Sequence, residues 1–411
     1  MDTIVRKYKV AYILSHPIQY HTPLIKKLSN HSGVDLVVYY FSDYGVVSRD
    51  GSDKRYHKEG GVLPLWDVPL LDGYKYKFIK NLSPLKPIED GFFSLFNPSL
   101  FFEFLKNRCD VIIVNGTHYL SYILAIIFAK ILGIKVLFRG DNPLFGEYKK
   151  SKYKILFKRF LYGKVLFPLI DRFLYVGEDN KEYFKFYGVK GNKLYYCPHS
   201  VDNDRFSSEY RRWLDLREKI KNDLNLSGKV IVLFSAVLVK RKGIFELINA
   251  FSEIKNEDAF LLIVGDGVDR EKTKDLIKRN NLEKKVYFAG FVNQSEISKY
   301  YSIADIFVLP SHSDTWGLVV NEAMNFSLPV IVSDQCGCAK DLVKGNGFII
   351  KAGDVNDLKE KLETLINDSE LRKEMGRKSM EIIRNYSYDK AIDGILNAIS
   401  SLKIGEQNEG N

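Results

Sequence analysis

The sequence predicts an α/β protein built as two doubly wound, parallel-sheet domains of the Rossmann type, facing across a cleft. Short apolar, β-branched runs alternate with segments of helical spacing in each half of the chain. Those runs end in polar loops rich in Gly, Asp, His and Lys, at the end of a parallel strand where ligands sit. The length, 411 residues at 45% hydrophobic and 27% charged, suits two globular domains. We expect the first over residues 1–200 and the second over 201–385, with a C-terminal helix, 386–404, packing back on the first and a frayed tail after it.

Tyr8 to Ser15 (YKVAYILS) reads as the first buried strand. It exits through Ser15-His16-Pro17-Ile18-Gln19-Tyr20-His21-Thr22-Pro23, and a helix starts near Pro23, where proline suits the first turn. His16 and His21 are donor-capable groups at the cleft end of that strand, although local backbone bonding would also occupy them. Val34 to Phe41 is the second strand, and Ser42 to Gly61, polar and charged, reads as a mobile loop. Phe92, Phe93, Phe96, Phe101, Phe102 and Phe104 crowd the next stretch, and most belong in the core by the usual burial of phenylalanine. Cys109 to Val114 is a strand followed by Asn115-Gly116-Thr117-His118. A buried helix over Tyr119 to Ala129 leads to a strand at Lys135 to Phe138, which ends in Arg139-Gly140-Asp141. Arg139 either meets an anionic group or pairs with Asp141.

Residues 149–164 read KKSKYKILFKRFLYGK, seven basic residues and no acid. Tyr153, Leu156, Phe157 and Phe160 form one helical stripe, with Lys154, Lys158 and Arg159 elsewhere on the helix. Two uses are open to such a helix. Its apolar stripe can pack on the sheet, or the helix can lie on an anionic membrane surface.

The second half opens with a charged helix, Arg211 to Asn222, and a new first strand, Lys229 to Ala236. Val239-Lys240-Arg241-Lys242-Gly243 then sets a basic loop before a helix start, an arrangement that invites phosphate. The strand Phe260 to Val264 ends in Gly265-Asp266-Gly267, and Val286 to Ala289 ends in Gly290-Phe291-Val292.

The most informative stretch is Ala304 to Asp334. Ile306 to Leu309 is a buried strand, Ser311 to Thr315 a polar turn, Gly317 to Asn325 a helix with Val319, Val320, Ala323 and Met324 at helical spacing, and Leu328 to Val332 the next strand. The N–H groups of Trp316, Gly317 and Leu318 would face the ligand end of the sheet, with the positive end of the helix dipole behind them. Asp314 lies in the turn and Glu322 in the helix. Two carboxylates beside a phosphate seat suit hydroxyl donors, as on ribose or a sugar, rather than phosphate.

Asp314-x7-Glu322 within SDTWGLVVNEAM resembles the acidic pair of the retaining GT4-type glycosyltransferases of GT-B fold. The resemblance is strong over about residues 195–390. It implies that Asp314 lies at the donor sugar, that Glu322 holds the ribose hydroxyls, and that the backbone of Gly317, Leu318 and Val319 holds the diphosphate. It further implies that Lys242 grips the diphosphate, with Arg241 or Lys240 standing in for a basic residue the family carries where this chain has Val237. Gly265 and Gly267 would line the donor pocket, and Phe291 and Val292 would border the base. In the first half it implies a cleft histidine at His118, while the family's glycine-rich first loop is missing here, so His16, His21 and Arg139 are further acceptor-side candidates by their strand-end positions alone. Asp314, His118 and Lys242 are thus the catalytic candidates, no metal or cofactor is implied, and the nucleotide diphosphate sugar is a co-substrate.

The remaining numbers narrow the class. The formal charge of +10 suits an anionic membrane face or an anionic substrate, and no nucleic-acid module is present. Asp202-Asn203-Asp204 is formally a DxD triplet, but it sits in the expected hinge and is rejected as a metal site. Four cysteines suit a reducing compartment, and Cys336-x-Cys338 has the wrong spacing for a redox or zinc motif. No signal-peptide pattern opens the chain, and the longest apolar run is broken by Lys130. The expected setting is therefore cytoplasmic, peripheral at the inner membrane face, with a glycan or lipid-linked acceptor. Two rivals share the features: a nucleotide-sugar epimerase of the same fold, and a non-catalytic nucleotide-binding partner in a glycan assembly complex.

Overall fold

The computed structural model describes residues 7–46, 54–57 and 61–402, with only the backbone described over 54–57 and 62–64. The chain forms two compact units. The first holds a seven-stranded sheet in the order β5-β2-β1-β6-β7-β8-β9: β1 Tyr8–Leu14, β2 Val34–Tyr40, β5 Lys75–Phe78, β6 Val111–Asn115, β7 Lys135–Gly140, β8 Arg172–Tyr175 and β9 Leu194–Tyr196. The pairs are parallel throughout, so both faces need cover. On one face Leu100 and Phe104, the Tyr122–Ala129 helix face, and Tyr183 and Phe184 bury Ala11, Ile13, Ile112 and Val114. On the other, Leu24, Ile25 and Leu28 join Ala391, Ile392, Ile395 and Ile399 over Val10, Tyr12 and Leu174. The helix Tyr388–Ser400 therefore completes the first unit although it ends the described chain. Arg172 secures it by donating to the Ser401 hydroxyl and carbonyl, each at 2.8 Å. The tail expected to fray, 404–411, lies outside the described residues.

The second unit holds a six-stranded parallel sheet in the order β12-β11-β10-β13-β14-β15. Its strands are β10 Val230–Ser235, β11 Ala259–Val264, β12 Val286–Gly290, β13 Ile306–Leu309, β14 Val330–Ser333 and β15 Gly347–Ile350. The helices Ile244–Ser252 and Val355–Asn367 bury Leu247, Ile248, Leu358 and Leu362 against Val232, Phe234 and Ile306. In both sheets the chain winds outward in one direction, then returns to the middle and winds out in the other. The direction reverses between β1 and β6 and between β10 and β13, and neighbouring strand-end loops diverge there to open a crevice.

Three sequence expectations change. The chain passes from the first unit to the second between Pro198 and His199, but residues 54–68 also join the second unit. The expected loop over Ser42 to Gly61 therefore contains one strand of a hairpin, β3 Lys54–His57 against β4 Gly61–Pro64, while 47–53 and 58–60 lie outside the described residues. Of the six phenylalanines expected mainly in the core, Phe104 alone is buried, and Phe92, Phe93, Phe96 and Phe102 are exposed. Phe92 and Phe93 lie in a short 3-10 turn, Phe96 in the connection after it and Phe102 on a seven-residue helix whose inner face is used by Leu100 and Phe104.

The basic helix does not pack its apolar stripe on the sheet. Lys152–Phe160 presents its apolar stripe outward, with Tyr153 87% and Phe157 67% exposed. Lys158 instead turns inward, 2.8 Å from the buried Glu147 carboxylate and about over the rings of Tyr162, Tyr183 and Tyr187. Burial works to raise the Glu147 pKa, but hydrogen bonds from Lys150, Lys158 and Tyr187 hold it below the ordinary value. The buried carboxylate claims the ammonium, which rotates the apolar side to the surface.

Candidate active site

The site is built where β10 and β13 diverge. After β10 the chain makes a 3-10 turn, Lys240–Lys242, and ends it at Gly243 with φ 76°. A side chain there would collide with the Pro310 carbonyl, so only glycine lets the basic loop lie against the loop that follows β13. His312 N–H donates to the Arg241 carbonyl at 2.8 Å, and Arg241 Nη1 lies 3.4 Å from the Ser313 carbonyl. These bonds bring Lys242 onto Asp314. The Lys242 ammonium and the Asp314 carboxylate form an ion pair with side chains 13% and 11% exposed.

The Asp314 backbone is fixed independently. Its N–H donates to Gln335 at 2.9 Å, and its carbonyl accepts from Gly337 at 3.0 Å. Trp316 N–H approaches Asp314 Oδ1 at 3.4 Å, so one of the amides expected to face a ligand turns toward this carboxylate. Gly317 then adopts φ 93° and starts the helix Leu318–Met324. By helix geometry the first-turn N–H groups of Gly317, Leu318 and Val319 have no acceptor within the helix. Trp316 is buried and donates from its indole to Asn321 at 2.9 Å, with His199 and Tyr386 against its ring. It anchors the helix.

Glu322 is no surface glutamate: it is 1% exposed. Tyr301, on the helix Ile297–Ile303, donates its hydroxyl to Glu322 Oε2 at 2.7 Å and stacks on Phe326. A buried carboxylate with a dedicated hydroxyl donor is a positioned acceptor. Sequence reasoning missed Tyr301, because nothing in its local pattern separates it from an ordinary core tyrosine.

Gly265-Asp266-Gly267 adjoins the same loops. Gly265 N–H donates to Gly290 at 2.8 Å, Leu238 N–H to Asp266 at 3.0 Å, and Asp269 carboxylate accepts from Lys240 N–H at 2.8 Å. The glycine turn thus supports the basic loop from behind β10. Phe291 and Val292 are half-buried at the end of β12, with the Trp66 ring 6.1 Å from Phe291. No local pattern marks Trp66 as a neighbour of Phe291, since its segment lies in the other half of the chain.

In the first unit, His16 and His118 lie on the two loops that flank the reversal between β1 and β6. His16 Nδ1 is 3.0 Å from the Ser15 hydroxyl, and its ring meets Tyr44 edge-on. His21 precedes the helix Thr22–Ser29 as its cap residue. His118 packs on Tyr119 and Tyr122, and desolvation holds its imidazole pKa below the ordinary value against the opposing pull of Asp141. Arg139 is different. It is 3% exposed, lies near Tyr12 Oη and the Pro198 carbonyl at 3.5 and 3.4 Å, and leaves its Nε without an acceptor among the described residues. Its guanidinium is a core group where the first unit meets its exit, not a surface cation.

The other motif readings resolve locally. Asp202 caps the helix Asn203–Leu214 by accepting from Arg205 N–H at 3.0 Å, and Asn203 donates to the carbonyls of Ile383 and Tyr386. Cys336 and Cys338 are buried thiols, and burial pushes Cys336 up to about 12. No group of three metal-ligating side chains occurs among the described residues.

Known proteins resemble this chain in sequence and in fold. The family described as Glycosyl transferases group 1 matches residues 216–381. An uncharacterized glycosyltransferase of Methanocaldococcus jannaschii is 33% identical over 164 residues, 40% of this chain and 46% of that protein. The Staphylococcus aureus capsular polysaccharide biosynthesis glycosyltransferase CapM is 29% identical over 197 residues, 47% of this chain and 48% of CapM. These matches span about half the length of each relative. The N,N'-diacetylbacillosaminyl-diphospho-undecaprenol alpha-1,3-N-acetylgalactosaminyltransferase of Campylobacter jejuni is 26% identical over 288 residues, 69% of this chain and 74% of that enzyme. Among solved structures, a Rickettsia africae glycosyltransferase has a TM-score of 0.73 at 17% identity, covering 96% of this chain and 98% of its own. Anabaena HepE in complex with UDP has a TM-score of 0.72 at 15% identity, covering 96% and 100%. Residues 216–381 thus match the Glycosyl transferases group 1 family, and that domain is set in a chain of two Rossmann-like parallel-sheet units.

Proposed function

We propose that the protein is a retaining glycosyltransferase that moves a sugar from a UDP- or GDP-sugar to an acceptor hydroxyl, in the biosynthesis of lipopolysaccharide, capsule or a lipid-linked oligosaccharide. The observation that carries this reading is the Lys242–Asp314 ion pair at the reversal point of the second sheet. As the donor bond breaks, positive charge grows on the sugar and negative charge on the leaving diphosphate. Lys242 has three donors, so it can hold Asp314 and still meet a leaving-group oxygen. Asp314 holds the ammonium in place, and its own carboxylate faces the sugar side. Arg241 and the amides of Gly317, Leu318 and Val319 add donors that need no reorganisation during the reaction. Glu322, held by Tyr301, accepts from the ribose hydroxyls. With these groups carrying the leaving charge, no metal is required.

Acceptor recognition falls to the strand-end loops of the first unit, through His16, His21 and His118. The neutral imidazole favoured at His118 suits a proton acceptor for an incoming hydroxyl. The exposed apolar stripe of Lys152–Phe160, beside Lys152, Lys154 and Arg159, supports peripheral contact with an anionic membrane carrying a lipid-linked acceptor. No helix among the described residues is long and apolar enough to cross a membrane. Salt-sensitive association with anionic vesicles tests this part, and absence of association at low ionic strength ends it.

Calorimetric titration with UDP, GDP and ADP, followed by turnover with the matching nucleotide sugars and a panel of lipid-linked and glycan acceptors, tests the whole. A glycosylated acceptor of retained anomeric configuration is expected. Nucleotide binding without turnover would favour the non-catalytic partner, and an altered free sugar or nucleotide without acceptor would favour the epimerase.

A further inference from the structure

We propose that the first unit carries a second membrane-inserting surface, the exposed aromatic turn and helix around Phe93 and Phe102, which seats one face of the unit on an anionic bilayer together with the basic helix Lys152–Phe160. This extends, and rests on, the membrane reading above. The turn Phe92–Ser94, the helices Leu100–Lys106 and Leu120–Ile131, and the segment Leu161–Leu169 cover the same face of the seven-stranded sheet. Leu95, just after the turn, shares one core with Phe104, Ile126 and Phe167. The outer sides of these elements are apolar as well. Phe93 is 64%, Phe102 69% and Ile131 67% exposed, and Leu105 is exposed beside them. Phe101 joins the two helices by meeting the Phe128 ring edge-on at 5.3 Å.

Phe104 packs on Tyr39 of β2, and Phe167 on Phe173 of β8. These strands are four places apart in the sheet, so the two apolar areas rise from points about 20 Å apart. A single helix on a bilayer leaves a rigid body free to rock, and a second anchor at that distance fixes its tilt. The helix Leu120–Ile131 touches both areas, and His118 lies just ahead of its start. The candidate acceptor loop is thereby held at a set height over the headgroups, which suits an acceptor that stays anchored in the bilayer. Charge decides what covers the face. Residues 92–108, 120–132 and 145–166 hold ten basic and two acidic residues. Both acids are taken: Glu103 pairs with Lys77, and Glu147 is buried against Lys150 and Lys158. A second copy of the chain docked face to face would set cations against cations, because an isologous contact pairs a patch with itself. Anionic lipid complements the charge. A bilayer also receives side chains that stand this far out without needing a matching hollow.

The test measures sedimentation with vesicles of phosphatidylcholine and phosphatidylglycerol for wild type, for Phe93→Ser with Phe102→Ser, and for Phe157→Ser. Both phenylalanines of the double variant are exposed, so it should fold. It should bind vesicles about tenfold more weakly, with the salt dependence of wild type, because the lost term is apolar burial and is not screened. Separately, vesicles with brominated acyl chains should quench the fluorescence of Phe102→Trp well beyond the wild-type level, which reports insertion directly. Unweakened binding by the double variant overturns the proposal, as does quenching of Phe102→Trp no greater than that of wild type. So does a wild-type dimer, read by sedimentation velocity, that the double variant loses, since a second copy would then cover the face. If the double variant fails to fold, the quenching of Phe102→Trp decides. Loss of binding in Phe157→Ser but not in the double variant sinks this surface alone. Absence of binding by the wild type at low ionic strength sinks the earlier membrane reading with it.

Discussion

The Tyr301 hydroxyl donates to the Glu322 carboxylate at 2.7 Å, with both side chains buried. One carboxylate oxygen is thereby committed to the protein, which fixes the direction of the other. Glu322→Ala should weaken nucleotide binding by about 1–3 kcal/mol, the cost of leaving a hydroxyl without its acceptor. Tyr301→Phe should weaken it less and lower folding stability by about 1–3 kcal/mol, because a buried charged acceptor loses a donor. Calorimetry and chemical denaturation check the two effects. Unchanged affinity in Glu322→Ala would remove the ribose assignment.

Lys242→Met should reduce kcat by roughly 10²–10³, the range for removing one preorganised donor from a developing negative charge. Nucleoside diphosphate affinity should fall as well. The same change leaves Asp314 almost enclosed without its cation, so a stability loss of about 3–5 kcal/mol is expected. Lys242→Arg should restore stability more fully than rate, since the guanidinium keeps the charge but not the shape. Steady-state kinetics and denaturation of all three proteins separate these outcomes.

Chelation should leave turnover intact. Lys242, Arg241 and the amides at Gly317 to Val319 carry the charge a metal would otherwise neutralise. Activity measured after exhaustive treatment with EDTA, with and without added Mg²⁺ or Mn²⁺, gives the answer. Strict dependence on added divalent ion would contradict the assignment.

His118 should titrate below the ordinary histidine value of 6.5, because desolvation disfavours its charged form. The unfolded chain then binds a proton more readily than the folded one. The stability contribution is complete above the unfolded pKa and is lost as pH falls through 6.5 toward the folded pKa. His118→Asn should flatten that part of the pH–stability curve. Imidazole NMR titration reads the midpoint directly, and a midpoint above 6.5 would reverse the argument.

Lys152→Glu with Lys154→Glu should weaken binding to anionic vesicles by about 1 kcal/mol or more for each lost charge near the surface. Phe157→Ser should weaken it without changing the salt dependence, because the apolar term is not screened. Sedimentation with vesicles across a salt series separates the two terms.

Much of this protein was legible in one dimension. Strand β13, the polar turn after it and the helix beginning beyond Gly317 follow from apolar periodicity, a proline and a glycine, all local signals. So does the basic turn at Lys240–Lys242. What local pattern cannot carry is which loops meet. Lys242 pairs with Asp314, 72 residues away, because β10 lies beside β13 in the sheet, and Tyr301 reaches Glu322 because two helices pack on one face. Trp66 arrives at Phe291 only because residues 54–68 fold onto the second unit. The stripe at Tyr153 to Phe160 was visible in the sequence, but its direction was not. A helical period states that one side is apolar, and only the competition for Lys158 by a buried Glu147 decided that this side faces outward.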